Sequence, residues 1–214
     1  MAMVISPIQA AAVMLPILCL MDVFGLWAYR ATWDRRNVAI MVPGALAGVA
    51  VGAFTFRYLD DDLVRLMIGT IAVVFALYYW LGGARARRQR PASIGAGSLW
   101  SAVAGFTSFV AHAGGPPVQV YLLPQRMDKT LFVGTTVIFF FVVNYAKLVP
   151  YAMIGQFSAE NLATALVLAP LAPFGMRLGI RLHGVVSQAL FYRLCYGALS
   201  ITGAKLIWDW AASL

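Results

Sequence analysis

His112-Ala113-Gly114-Gly115-Pro116-Pro117 interrupts an apolar run over residues 94–123. Two glycines and two prolines in succession do not belong inside a buried helix. Proline lacks a backbone donor and its ring collides with the preceding turn. Glycine loses the most conformational freedom on ordering. Within a membrane such a break survives only where protein or a water-filled cavity surrounds it. The segment therefore decides how the chain is threaded, and it is the first place to look for chemistry.

Working outward, composition sets the class. Of 214 residues, 62% are hydrophobic and 11% charged, against about 25% charged in a soluble domain. Too few charges remain to coat a soluble surface, so this is an integral membrane protein. A span takes about 20 apolar residues, and six stretches qualify: 5–29, 38–56, 63–83, 130–151, 161–176 and 188–208. The fifth is short and carries Pro170 and Pro173. Trp27, Tyr29, Trp80, Tyr151 and Trp208, near the ends of these stretches, suit interfacial aromatic belts. Cys19 and Cys195 lie in apolar runs and imply buried thiols rather than a disulfide framework. The net charge of +8 does not point to nucleic acid, because the basic residues lie between apolar runs, where they set topology. The N-terminus lacks the charged start and small-residue cleavage site of a signal peptide.

Loop charges choose between two threadings. The first loop carries Arg30, Arg35 and Arg36 against Asp34; the second has Arg57 before Asp60-Asp61-Asp62; the third is strongly basic, with Arg85, Arg87, Arg88 and Arg90. By the positive-inside rule, loops one and three are cytoplasmic and loop two is external. If residues 94–123 crossed once, Arg126, Lys129, Arg177 and Arg181 would all fall outside, and the base-free loop with Glu160 inside. If the segment enters, turns at Gly114-Gly115 and returns, all four bases become cytoplasmic and Glu160 external. The charges predict a re-entrant hairpin, with both chain ends outside.

An internal repeat agrees with this. Asn37-Val-Ala-Ile-Met-Val-Pro43, followed by Gly48 and Gly52, matches Asn161 to Pro170, followed by Gly175 and Gly179. Arg65 and Gly69 match Arg193 and Gly197, and Asp22 and Tyr29 match Asn144 and Tyr151, at offsets drifting only from 122 to 128. Under the hairpin threading the copies are inverted, a pattern common in secondary transporters. The expected architecture is an all-α polytopic transmembrane helix bundle forming one domain over residues 1–214. Residues 1–83 form the first repeat, 84–93 a basic cytoplasmic loop and 94–214 the second repeat, each repeat with three spans plus a broken or re-entrant helix pair. The register places the first copy's broken pair about 30 residues before Met1, so that element is expected to be missing, through a misassigned start or a truncation.

The break itself predicts a helix ending near His112, a glycine turn, and Pro116-Pro117 opening a short second helix. Proline suits a first helical turn, where its missing donor costs nothing. The N–H groups of Val118, Gln119 and Val120 are then expected to be uncapped and to point into the turn, as in anion sites at helix N-termini. A proline kink that only packs the bundle is the alternative. His112 can donate to an anion, carry a proton, or bond a backbone carbonyl. It is the only histidine in an apolar context, His183 lying in the basic loop after Arg181. No second His, Cys or carboxylate stands at helical spacing from it, so it is a poor metal ligand, and no catalytic motif or cofactor fingerprint occurs.

Charge within a span is a functional signal by default. Lys147 follows Asn144 by three residues and shares its helix face, and Asp22 holds the matching place in the first span. Inverted repeats would bring the two helices side by side. Lys147 either supplies charge to an anion or snorkels to the outer interface. Gly44, Gly48 and Gly52 form a small-residue stripe for close helix contact, within the protomer or between protomers of a homo-oligomer. Ser101, Thr107 and Ser108 flank the break, but such hydroxyls more often bond their own backbone.

The segment from Gly105-Phe106 to Pro117, with Phe109, His112, Gly114, Gly115 and Pro116, resembles the second glycine-rich signature of the TauE/SafE sulfite-exporter family. The 130–151 helix with Gly134-Thr135-Thr136 and Asn144, and the helix with Gly175 and Gly179, are also similar to it. The resemblance implies a multi-pass permease of the cell's inner (plasma) membrane, not an enzyme. Its partners would be a small anion, most simply sulfite or an organosulfonate, and the bilayer. On this reading Gly114, Gly115, Pro116, Val118 and Gln119 hold the anion at the half-helix, and His112, Asn144, Lys147 and Asp22 complete the site. The first signature of the family is absent. His-Ala-Gly-Gly stands where a fuller glycine run is usual, which predicts that His112 narrows the site. A non-transporting membrane subunit, and a membrane-embedded enzyme with His112 as general base, are the alternatives.

Overall fold

A computed structural model describes residues 7–55, 58, 61–81 and 89–212. Arg57, Asp60, Arg85, Arg87 and Arg88, on which part of the charge argument rests, lie outside the described residues, as do the side chains of Asp61, Asp62 and Arg65. The elements are α1 (Pro7–Tyr29), α2 (Arg35–Thr55), α3 (Asp61–Leu81), α4 (Ile94–Ala111), α5 (Gly115–Leu122), α6 (Lys129–Met153), α7 (Ala159–Leu168), α8 (Leu171–Val185) and α9 (Gln188–Ala211). A short 3-10 turn, Leu123–Gln125, follows α5. Ser93, Ser158 and Ser187 cap α4, α7 and α9, each hydroxyl accepting from the backbone N–H three residues on. These caps satisfy donors the helix leaves without an internal partner.

Among the described residues four helices, α1, α2, α4 and α6, are long and apolar enough to cross a membrane, five if α7 and α8, bent by 43°, form one span. The expected spans 63–83 and 188–208 are not among them, and α4, expected to be half of a re-entrant pair, is. Trp27, Phe54, Leu166, Val167, Phe174 and Ile201 all stand more than 70% exposed, a surface suited to lipid and not to water. The chain is an all-α, multi-spanning membrane protein. One expected boundary moves. The stretch read as 161–176 continues helically to Val185, so Arg177, Arg181 and His183 are helical rather than in a loop. Pro170 ends the first piece because it cannot donate to the preceding turn. Pro173 falls in the first turn of α8, where the lost donor is harmless.

Two compact units form, Met1–Val38 with Thr130–Val186, and Ala39–Lys129 with Ser187–Leu214. Each draws on both sides of the basic loop. In the first, α1 packs on α7 and α8, where Val13 and Ile17 meet Ala165 and Ala172. The turn after α1 docks on α6: the backbone N–H of Asp34 donates to the Thr135 hydroxyl at 2.9 Å. A methyl group on Gly134 would overlap the Thr32 carbonyl oxygen.

In the second unit, α3 runs along α9. A Cβ on Gly69 would lie 3.1 Å from the Gly203 carbonyl oxygen, and Tyr79 stacks on Tyr196 at 3.4 Å and 6°. The glycine stripe of α2 packs on α4 of the same chain. Cβ atoms on Gly44 and Gly48 would overlap Ser98 and Ala102 backbone oxygens, and one on Gly52 would press on Phe109 at 3.0 Å. Gly105 of α4 answers, against the Ala45 carbonyl. Lipid tails are as apolar as leucine, so van der Waals contact between close backbones is what such helices gain by associating.

Candidate functional site

The break lies in the second unit. Helix α4 ends at Ala111, and His112 takes the left-handed conformation, φ 50° and ψ 29°. Its N–H donates to the Ser108 carbonyl at 3.2 Å, and that of Ala113 to the Thr107 carbonyl at 3.2 Å. The buried Thr107 hydroxyl lies 2.9 Å from the Val103 carbonyl oxygen and 3.1 Å from that of Ala113, tying the helix end to the chain leaving it. Gly114 is right-handed, φ −72° and ψ −13°, and precedes α5, with prolines in the first turn. The turn expected at Gly114-Gly115 is thus made by His112, because Gly114 is committed to opening the next helix. Histidine is among the residue types that tolerate this region best, at a cost of roughly 1–2 kcal/mol.

The expected donors are corrected: Gln119 and Val120 lie past the first turn of α5, where N–H groups bond within the helix. The N–H of Val118 is not free: it donates to the Gly114 carbonyl at 3.3 Å. Helix α5 starts at Gly115, early enough for its first internal bond to close at Val118. Pro116 and Pro117 have no N–H, so the backbone donors at this mouth are those of Gly114 and Gly115. Nothing lies within 4 Å of a Cβ built on Gly115, which leaves open space there. Gln119 follows Gly115 by one turn and so shares its face; its Oε1 is enclosed without a hydrogen-bond partner.

The broken pair doubles back on itself. Tyr121, in the last turn of α5, lies beside Gly97, in the first turn of α4, 2.8 Å from a Cβ built there. Before α4 and after α5, the strands of chain are bonded together: the N–H of Arg90 donates to the Pro124 carbonyl at 3.0 Å, and Gln89 Nε2 to the Gln125 carbonyl at 2.9 Å. Both arms of the hairpin therefore finish at the same end.

Asp22, Asn144 and Lys147 come together in the first unit. Asn144 Nδ2 donates to Asp22 Oδ2 at 2.7 Å, joining α1 to α6. Lys147 is 0% exposed and within electrostatic reach of Asp22 and Cys19. Snorkelling, one of the two expectations for Lys147, is not what happens. Helix α6 runs on to Met153, about 9 Å further at 1.5 Å per residue, and the side chain is enclosed. The nine residues read from sequence thus fall into two groups, one per unit: His112, Gly114, Gly115, Pro116, Val118 and Gln119 around the break, and Asp22, Asn144 and Lys147 between α1 and α6.

His183 was placed in a loop by sequence, but it sits in the last turn of α8. Its ring meets Tyr29 edge-on at 5.8 Å, and its Nε2 lies 3.4 Å from the Thr130 hydroxyl. The recurrence of Leu171, Gly175, Gly179 and His183 at spacing four is the sequence signal that continues this helix past Met176.

A family model described as sulfite exporter TauE/SafE matches residues 1–206. The chain is also similar to a protein of Cupriavidus necator named probable sulfite/organosulfonate exporter TauE. Identity is 26% over 179 residues, covering 81% of this chain and 68% of that protein. No solved structure matches. Membrane-spanning helices broken by a glycine-proline hairpin thus coincide with a family match from the first residue to position 206, and the chain belongs to the TauE/SafE sulfite exporter family.

Proposed function

We propose that the protein exports a small oxyanion, sulfite or an organosulfonate, and that the anion is held at the break between α4 and α5. The observation that carries this reading is the mouth of α5: free space beside Gly115, the backbone donors of Gly114 and Gly115, the enclosed Gln119 amide one turn on, and His112 at the helix end. A helix N-terminus favours negative charge, and His112 narrows the opening. Val118 and Pro116 set the helix geometry behind it.

In the first unit Lys147 supplies positive charge, Asp22 balances it when no anion is present, and Asn144 holds Asp22 in place. Asp22 and Asn144, matched positions of the expected repeat, are hydrogen-bonded to each other. Contact between repeat-related residues supports a pseudo-twofold arrangement of the 1–83 and 94–214 repeats. The joined hairpin ends, next to the basic 84–93 loop, support re-entry from the cytoplasmic face of the cell's inner membrane. A negative interior then drives export, at about 2.3 kcal/mol per charge per 100 mV.

Sulfite efflux from proteoliposomes tests the proposal. His112→Ala, Gln119→Leu and Lys147→Met should each slow it by about tenfold or more, the loss of one charge-assisted contact, while folding is retained. Wild-type rates in all three would remove both groups from the pathway. Absence of flux from the wild-type protein would favour a non-transporting subunit.

A further inference from the structure

We propose that a pocket between α3, α4 and α5 binds an anionic phospholipid, with acyl chain in the cavity and phosphate on Arg90. The cavity holds about 870 Å³, and its apolar wall includes Ile71, Val74, Phe75, Trp100, Val120 and Tyr121. That volume is within the range of small-molecule sites, roughly 300–1,000 Å³. It opens beside an outward apolar surface: Val74 is 61% exposed and Leu99 62%. An occupant of these walls is hydrocarbon.

One end of the pocket is different. Arg90 and Ser93 line it there, and Arg90 is held in position. Its N–H is bonded to the Pro124 carbonyl at 3.0 Å and its Nη2 donates to the Tyr78 hydroxyl at 3.0 Å. The guanidinium carbon lies 5.7 Å from the centre of the Tyr78 ring. A guanidinium carries five N–H donors, and among the described residues no carboxylate pairs with this one. Its planar fork matches phosphate oxygens. A free anion would leave the apolar walls empty. A zwitterionic headgroup would bring its cation to a pocket end lined by no carboxylate. An anionic phospholipid satisfies both ends, and it would brace the hairpin at the end opposite Gly115.

The test is lipid retention and thermal stability of the full chain purified in neutral detergent. Phosphatidylglycerol should be retained at one per chain in native mass spectrometry and should raise Tm, while phosphatidylcholine of the same chains and glycerol 3-phosphate should do neither. Arg90→Gln should weaken phosphatidylglycerol retention by about fivefold. Ala96→Phe, which fills the cavity and keeps Arg90, should lose the lipid as well. The proposal is overturned if the two lipids are retained equally or if both variants hold phosphatidylglycerol like the wild type. It is also overturned if glycerol 3-phosphate alone stabilises as much, or if the pocket proves to be closed by a second copy in a lipid-free dimer.

Discussion

His112 and Arg126 are the non-glycine residues with positive φ among the described residues, at 50° and 49°. Both belong to the hairpin, one at its tip and one where it ends. A β-carbon in this region crowds the following carbonyl, so removing it should help: His112→Gly should raise stability by about 1 kcal/mol. His112→Ala, which keeps the β-carbon, should bring no such gain. Chemical denaturation of the two variants in the same detergent measures the difference, and equal stabilities would mean that the backbone there is unstrained. Sequence could not locate this residue, because glycine is the default for positive φ and two glycines stand just downstream. Sequence marks Asp22 and Asn144 as polar residues within spans, but not their 2.7 Å bond. The fate of Lys147 was not legible either: a lysine six residues from a helix end reads alike whether it reaches out to headgroups or is walled in.

Between elements, the stripe of α2 shows what small residues do. A methyl on Gly48 would meet the Ala102 carbonyl oxygen and, at 2.8 Å, the Phe106 backbone nitrogen. Both are backbone atoms, so relief requires moving a helix. Gly48→Ala should destabilise by about 1–3 kcal/mol, the usual cost of overpacking. Gly179, also in a stripe of spacing four, is different: a Cβ added there would have nothing within 4 Å. Gly179→Ala should be neutral or gain up to about 1 kcal/mol from helix propensity. Thermal unfolding of the pair decides it; equal losses would show that the α2–α4 contact is not as close as described. Glycine spacing of four announced a close contact, yet two stripes with the same spacing differ completely in surroundings. Spacing places residues on one face but says nothing about what that face meets.

For the whole molecule, the consequence is topological. The bonds from Gln89 and Arg90 to Gln125 and Pro124 place the two hairpin ends together, and under the proposed re-entrant threading both ends lie on one face of the membrane. In a cysteine-free background, single cysteines at Gln89 and Asp128, both at the hairpin ends, should react with an impermeant thiol reagent from the same, cytoplasmic side. A cysteine at Glu160 should react from the other. Labelling of positions 89 and 128 from opposite faces would replace the hairpin with a simple span. Sequence makes this expectation sharp because every loop charge depends on the parity of crossings, and a single threading error would invert several loops at once.

Sequence alone determined that this is a multi-spanning helical membrane protein with a helix broken at residues 112–117. Those features are local: hydropathy over about 20 residues, the missing donor of proline and the bilayer's demand for satisfied backbone act within a segment, whatever surrounds it. Only the tertiary structure decided that His112 and not a glycine makes the turn, that α4 fills the Gly44-Gly48-Gly52 face, that Lys147 is enclosed, and that Arg90 stands at the end of an apolar cavity. Each of these depends on which faces meet across long separations in the chain. That choice is made by backbone approach and side-chain shape summed over whole helices, which no single stretch of sequence contains.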